Sequence, residues 1–234
     1  MNSPRARNLI LTGGIQHDFK NASAALARCL DVANIASTIS EDLDASWSRI
    51  ANGEFELVTV HALRWRMIQR EKYAPDRTRW AYEIPQAGRT ALLSHVQLGG
   101  ALLGLHTAAL CFDSWEGWPA LLGAAWHWDE SHHPEFGPMH VSTTDAQHPI
   151  TRGINNFDTM DEAYHQLDVR ATTPALLRSM NQPLLWAHEL DRGRVVYDAL
   201  GHDAAAIEHE VHARVLRRCA AWLLRRDDAE IAAL

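Results

Sequence analysis

What the chain lacks narrows it first. It carries only three cysteines, Cys29, Cys111 and Cys219, an odd number with no C-x-x-C spacing. A disulfide framework and a thiolate zinc site are thereby disfavoured, and reduced thiols fit a cytoplasmic protein. No apolar run approaches the ~20 residues that cross a bilayer. The short, polar, basic opening from Met1 to Asn8 lacks the apolar region of a secretory leader, so no membrane partner is expected. Basic residues never cluster beyond pairs such as Arg217-Arg218 and Arg225-Arg226, and the net charge is -7. Nucleic acid is therefore not expected as a partner, because its phosphates require grouped lysines and arginines. No complete G-x-G-x-x-G follows a strand, and neither H-x-x-x-H nor H-E-x-x-H occurs, which leaves the dinucleotide and helix-borne zinc motifs without support.

What is present is an ordinary globular composition, 47% hydrophobic and 22% charged over 234 residues, enough for one large α/β domain. Two residue types are abundant, with 14 His and 9 Trp, and several of them crowd the middle of the chain. Trp faces stack on sugar rings but also fill cores.

Apolar runs of strand length alternate with helical spacing. Strands are expected at Leu9–Thr12, Ala36–Ser40, Phe55–His61 and the apolar run ending at Leu105. Between them fall a helix capped by Asn21 or Ser23, a helix over Leu43–Ala51, and a helix opened by Pro85-Gln86 with Leu92, Leu93 and Val96 on its apolar face. This order predicts a three-layer α/β fold, a mostly parallel sheet with helices on both faces. No repeat or linker interrupts it, so residues 1–234 are read as a single domain. The irregular stretch Arg64–Ile84, with its aromatic residues, reads as an insertion or lid. Later, Pro183–Ala187 and Arg194–Leu200 form a hairpin around Asp191-Arg192-Gly193, Asp145–Ile150 makes a turn, and Ala204–Leu224 forms the last helix. In that helix His209 and His212 read as surface or packing residues, while His132 and His133 read as solvated.

The stretch Gly99–Ala109 organises the chain. A strand that turns sharply into a helix exposes its turn residue at the carboxyl end of a sheet, the position of the serine in a nucleophile elbow. Here that residue is His106. Imidazole serves as acid, base or metal ligand near neutral pH, yet it replaces an acyl-forming thiol poorly. Glutamine amidotransfer is therefore not expected, and Cys111, five positions further on, is a weak alternative nucleophile.

His17-Asp18 after the first strand, Gly99-Gly100 through His106, Gly123 with His127, His148-Pro149-Ile150, Asp161-Glu162-x-Tyr164, Pro183 with Trp186, and Gly193-Arg194 leading to Gly201-His202 form an ordered set across nearly the whole chain. The set resembles the ThuA-like (trehalose-utilisation) family, a branch of the class I glutamine amidotransferase-like, flavodoxin-like fold. The resemblance implies that His202 stands where an amidotransferase places its catalytic His, and it ties the chain to disaccharide catabolism and oxidised sugars. A small carbohydrate is then the expected ligand, and a homo-oligomer remains open.

On this reading the chain is an enzyme, a hydrolase or lyase acting on a sugar or keto-sugar by acid–base chemistry. The expected catalytic groups are His106, His202, Glu162, His127 and Tyr164, with His17, Asp18, Trp126, Trp128 and Asp161 contacting substrate. Imidazole and carboxylate each typically contribute ~10²–10⁴-fold as acid or base near pH 7. Neighbouring side chains diverge, so only one of Asp161 and Glu162 needs to face the site. Trp126 and Trp128, two apart on an extended segment, should point to opposite sides. A variant has a divalent metal such as Zn²⁺ held by His106, His127 and His202. The alternative class is a non-catalytic sugar-binding or regulatory protein.

Overall fold

Strands form where β-branched and apolar runs end in turn signals. In the computed structural model, which describes residues 5–145, 147–170, 172 and 174–234, the order begins with β1 (Ala6–Gly13), α1 (Phe19–Asp31), β2 (Ile35–Ser40), α2 (Leu43–Ala51) and β3 (Leu57–Ala62). Residues 1–4 of the basic opening, and Ala146 of the expected 145–150 turn, lie outside the described residues. A 3₁₀ turn (Glu71–Asp76), α3 (Arg77–Trp80), α4 (Gln86–Gln97) and β4 (Ala101–Leu105) follow. His106–Leu110 form a second 3₁₀ turn. Then come α5 (Gly117–Leu122), β5 (Ala124–Ala125), β6 (Gly137–Thr143), β7 (Phe157–Asp161) and β8 (Asp168–Val169). The chain closes with β9 (Leu177–Ser179), β10 (Gln182–Leu190), β11 (Gly193–Asp198), α6 (Ala204–Glu208), α7 (Glu210–Leu223) and α8 (Asp228–Ala232).

Among the described residues nine strands share one sheet in the order β2-β1-β3-β4-β11-β10-β9-β6-β7. Every neighbouring pair from β2 to β11 is parallel, and every pair from β11 to β7 is antiparallel, so all strands but β10 and β6 run the same way. One helical layer joins α1, α6 and α7; the other pairs α2 with α4. Right-handed crossovers from β1 to β2 and from β3 to β4 run in opposite directions along the sheet, which puts their helices on opposite faces. The two-faced burial makes β3 and β4 buried along their whole length.

Three local expectations change. Helix α1 starts at Phe19 because Asp18, not Asn21 or Ser23, caps it by accepting the Asn21 N–H at 3.1 Å. On α4 the buried residues are Gly88, Ala91, Leu92 and Val96, whereas Leu93 is 37% exposed. One residue is a rotation of about 100° on a helix, enough to carry Leu93 off the core face. The last helix is two pieces, because His209 is extended (φ -54°, ψ 128°) between α6 and α7. The hairpin of β10 and β11 forms as expected, with Leu190 paired to Gly193 across Asp191, whose φ of 51° suits a tight turn.

The aromatic stretch after β3 packs as a wall. Trp65, Met67 and Tyr73 join Phe19 and Leu63 in a second, smaller apolar cluster, with Trp80 and Trp128 against it.

Candidate active site

The register sets Gly13 beside Ala62, Val60 beside Gly104, and Leu105 beside Asp198, so β1, β3, β4 and β11 end along one edge. Ligands of α/β sheets bind outside such carboxyl ends, where neighbouring connections leave in opposite directions. Four histidines collect there: His17 beyond β1, His61 on β3, His106 directly after β4, and His202 beyond β11.

Backbone geometry holds them. Gly14, with φ 150°, lets the chain turn back over Leu63; a Cβ there would sit 2.6 Å from the Leu63 carbonyl oxygen. His106 adopts φ 47°, a left-handed conformation that a non-glycine residue takes at a cost of ~1–3 kcal/mol. Its surroundings fix it. The His106 Nδ1–H donates to the Ala199 carbonyl at 2.8 Å, and the Tyr197 hydroxyl donates to the His106 carbonyl at 2.7 Å. With Nδ1 carrying the proton, Nε2 presents a lone pair, which accepts from the Tyr164 hydroxyl at 3.1 Å. Gly201, at φ 102°, then turns the chain after β11 toward the same point.

Asp161 ties the two halves of the sheet together. Its Oδ2 accepts the Gly201 N–H at 2.7 Å, and its Oδ1 accepts the N–H groups of Glu162 at 2.8 Å and His202 at 3.2 Å. The antiparallel extension therefore curls back until the end of β7 meets the loop after β11. Glu162 Oε2 lies 3.2 Å from His202 Nδ1 and 3.7 Å from His106 Nε2, and its Oε1 lies 3.6 Å from His133 Nδ1. The rings of His17 and His202 are 4.5 Å apart, and those of His106 and His202 5.3 Å.

The electrostatics follow from burial and these neighbours. Burial would raise the Glu162 carboxyl, but the surrounding imidazoles, His202 and His133 among them, outweigh it and hold Glu162 well below the usual carboxylate range. Burial likewise opposes charge on His202, and Glu162, with Asp161 and Asp203, outweighs it and raises that imidazole. His17 is pushed down to about 3 by burial first and by His106 and His202 next, and His61 to about 3 in the same way. The Tyr164 phenol is raised well above its ordinary value, mainly by burial, so it keeps its proton.

A cavity of about 470 Å³ opens over this cluster, with His17, Glu162, Tyr164 and His202 on its floor and Tyr73, Trp126 and Trp128 among its walls. Of the residues expected at the site, the structure brings together His17, His106, Glu162, Tyr164 and His202, with both tryptophans. Three expected residues stand apart. His127 is exposed and does not line the cavity; its backbone N–H donates to Ser131 Oγ at 2.9 Å, and the chain turns around it. Asp18 is exposed and caps α1. Asp161 is buried and fully used on backbone N–H groups, which leaves Glu162 as the acid facing the cavity.

Trp126 and Trp128 do not divide between core and cavity. The segment turns rather than extends, so both rings line the cavity, 6.3 Å apart, with Trp128 stacked on Trp65 at 5.8 Å. Tyr164 reaches the cavity, but its hydroxyl is engaged by His106. Sequence reasoning missed His133, read as solvated, together with Arg70, Lys72 and Tyr73 of the aromatic stretch and His61 beneath the cluster. The crowding of His133 beside Trp126 and Trp128 was the available signal. Cys111 has no nucleophilic role here: its thiol donates to the Ala62 carbonyl at 3.0 Å, and burial pushes it up to about 12.

His106 is a turn residue at positive φ after a central strand, over a sheet of mostly parallel strands, an arrangement shared with solved structures of the glutamine amidotransferase-like fold. A glutamine amidotransferase from Thermotoga maritima superposes with TM-score 0.57 at 10% identity, covering 94% of this chain and 98% of that one. A ThuA-like protein from Parabacteroides merdae superposes with TM-score 0.75 at 15% identity, over 94% of this chain and 90% of that one. A cytoplasmic protein from Salmonella typhimurium gives 0.66 at 14% identity, over 92% and 99%. No curated protein matches the sequence. The ThuA family model, trehalose utilisation, matches residues 7–223, and the chain belongs to that family.

Proposed function

We propose that the protein acts on a small sugar or keto-sugar in disaccharide catabolism, by acid–base chemistry in the cavity over β4 and β11. The observation that carries this reading is Glu162 Oε2 set 3.2 Å from His202 Nδ1 on the floor of an aromatic-walled cavity. Aromatic rings match the apolar faces of a sugar, and a carboxylate–imidazole pair supplies a proton acceptor and a proton donor side by side. A glycosidic bond beside a ketone can break when a base takes the activated proton on the carbon between them. The electron pair of that C–H bond becomes a double bond as the C–O bond breaks, and the leaving oxygen takes a proton from the acid. The facing groups Glu162, His202 and His133 suit these two transfers. Tyr164 holds His106, which lies fully buried behind the cavity lining. No helix among the described residues is long and apolar enough to cross a membrane, and the reading places the protein in the cytoplasm.

The test is a mass-spectrometric screen of oxidised and unoxidised disaccharides against wild type and Glu162→Gln. Cleavage or dehydration of a keto-disaccharide by wild type, lost in the variant, supports the proposal. Tight sugar binding with no turnover, surviving Glu162→Gln, would instead identify a binding protein.

A further inference from the structure

We infer that His17, His106, His202 and Glu162 form a binding site for one divalent first-row transition-metal ion. One donor atom from each of these residues lies within 4.8 Å of every other. The inference rests on donor geometry alone and is independent of the sugar reading.

Three observations carry it. The first is the direction of the lone pairs. His106 donates its Nδ1–H to the Ala199 carbonyl, and His17 Nδ1 is 3.3 Å from the Ile15 carbonyl. A metal-ligating histidine commonly anchors its second ring nitrogen on a backbone carbonyl in this way, which leaves the other nitrogen unprotonated and aimed. The second is unmet demand. His17 Nε2 is buried without a hydrogen-bond partner, and buried His202 Nδ1 has the Glu162 carboxylate 3.2 Å away but outside hydrogen-bonding geometry, a costly arrangement unless something is to be bound. The third is the donor set. Three imidazoles and one carboxylate are ligands of intermediate softness, suited to Zn²⁺, Co²⁺ or Fe²⁺ and unlike the all-oxygen shells of Ca²⁺ or Mg²⁺.

The spacing agrees with contraction around an ion. Metal–ligand bonds of ~2.1 Å put the donors of a tetrahedral ion ~3.4 Å apart, and the cis and trans donors of an octahedral ion ~3.0 and ~4.2 Å apart. The Glu162–His202 and Glu162–His106 separations of 3.2 and 3.7 Å already fall in that range. The Tyr164 hydroxyl now occupies the Nε2 direction of His106, so binding exchanges that hydrogen bond for the metal. With an ion bound, Glu162 and His202 are ligands in place of the acid–base pair of the ion-free site, and His133 and Tyr164 remain the proton-carrying groups beside the ion. The exposed His127, expected among the ligands from sequence, has no part in the site.

The experiment uses the full chain without an affinity tag, stripped with chelator and titrated with Co²⁺ while its visible absorption is followed, then challenged with Zn²⁺. The expected result is one equivalent of Co²⁺ with a ligand-field band, displaced by Zn²⁺. His17→Gln and His202→Gln should each weaken binding by about 100-fold, and His127→Gln should leave it unchanged. Thermal unfolding of the stripped variants checks that they are folded. Because His17 and His202 sit on loops rather than in the core, at least one variant is expected to fold, and either suffices for the test. Sub-stoichiometric uptake by wild type, or undiminished affinity in a folded His17→Gln or His202→Gln, overturns the site. Uptake as expected with no sugar turnover would leave the site standing and remove only the proposed function.

Discussion

Two buried imidazole–carboxylate arrangements meet at the end of β11, and they differ in what their nitrogens are left to do. On one side of the sheet, His212 donates from Nδ1 to the Ala206 carbonyl at 2.7 Å and from Nε2 to Asp198 Oδ2 at 3.0 Å. Asp198 Oδ1 also accepts the Leu200 N–H at 3.0 Å. Both ring nitrogens act as donors, and burial is outweighed by Asp198, so the His212 pKa is raised. At the carboxyl edge, His17 and His106 each anchor Nδ1 on a backbone carbonyl, His202 Nδ1 faces Glu162 Oε2, and His17, Glu162 and His202 line the cavity. The same two functional groups make a saturated strut in one place and a cluster facing a cavity in the other. Unspent lone pairs beside accessible space distinguish a site from a strut.

The comparison can be broken most forcefully at Glu162. On the proposed function, Glu162→Gln should lower sugar turnover by ~10²–10⁴-fold, the usual contribution of an acid–base group, with little change in melting temperature. Steady-state kinetics and calorimetry on the same sample check both halves.

Asp198→Ala should do the reverse. It strands a buried imidazolium and should cost ~3–5 kcal/mol in denaturant unfolding, as loss of one partner of a buried ion pair does. Any fall in activity should track the unfolded fraction.

Tyr164→Phe removes the hydroxyl that holds His106 Nε2. Turnover should fall about tenfold, the equivalent of one hydrogen bond of ~1.4 kcal/mol, while KM stays close to wild type.

The strut also has a pH signature. His212 has a folded pKa above its ordinary 6.5, so the folded state binds the proton more tightly than the unfolded chain. The resulting stability is fully present below about pH 6.5 and is lost as pH rises through the folded pKa. Difference denaturation curves of wild type against His212→Gln should show that loss in the wild type alone. The smallest effect is expected at Cys111. Cys111→Ala should leave turnover unchanged, and thiol reagents should label the native protein slowly at this position, because the group is buried and its pKa is pushed up to about 12.

Much of this molecule was legible without coordinates because its signals are local. The strands before Gly13, at β3 and before His106 are continuous apolar runs, as two-sided burial requires. The elbow could be read from a strand ending in small residues around His106, and divergence of adjacent side chains separated Glu162 from Asp161. Cap and helix boundaries went wrong by a few residues where a side chain chose between nearby backbone groups, as Asp18 did.

The sequence by itself determined the alternation of strands and helices, the family, and the placement of His106 and His202 at strand ends, since these depend on periodicity and turn chemistry within short stretches. Only the tertiary structure decided which histidines meet. His127 left the cluster because the chain turns at His127–Ser131 where an extended segment would alternate its side chains, while the turn at Gly14 brings His17 into it. Glu162 reached His202 because the antiparallel extension curls back and Asp161 clamps it to Gly201. The buried His212–Asp198 pair and the engagement of Tyr164 with His106 arise from contacts between residues far apart in the chain, fixed by packing and by the need to satisfy each buried polar group.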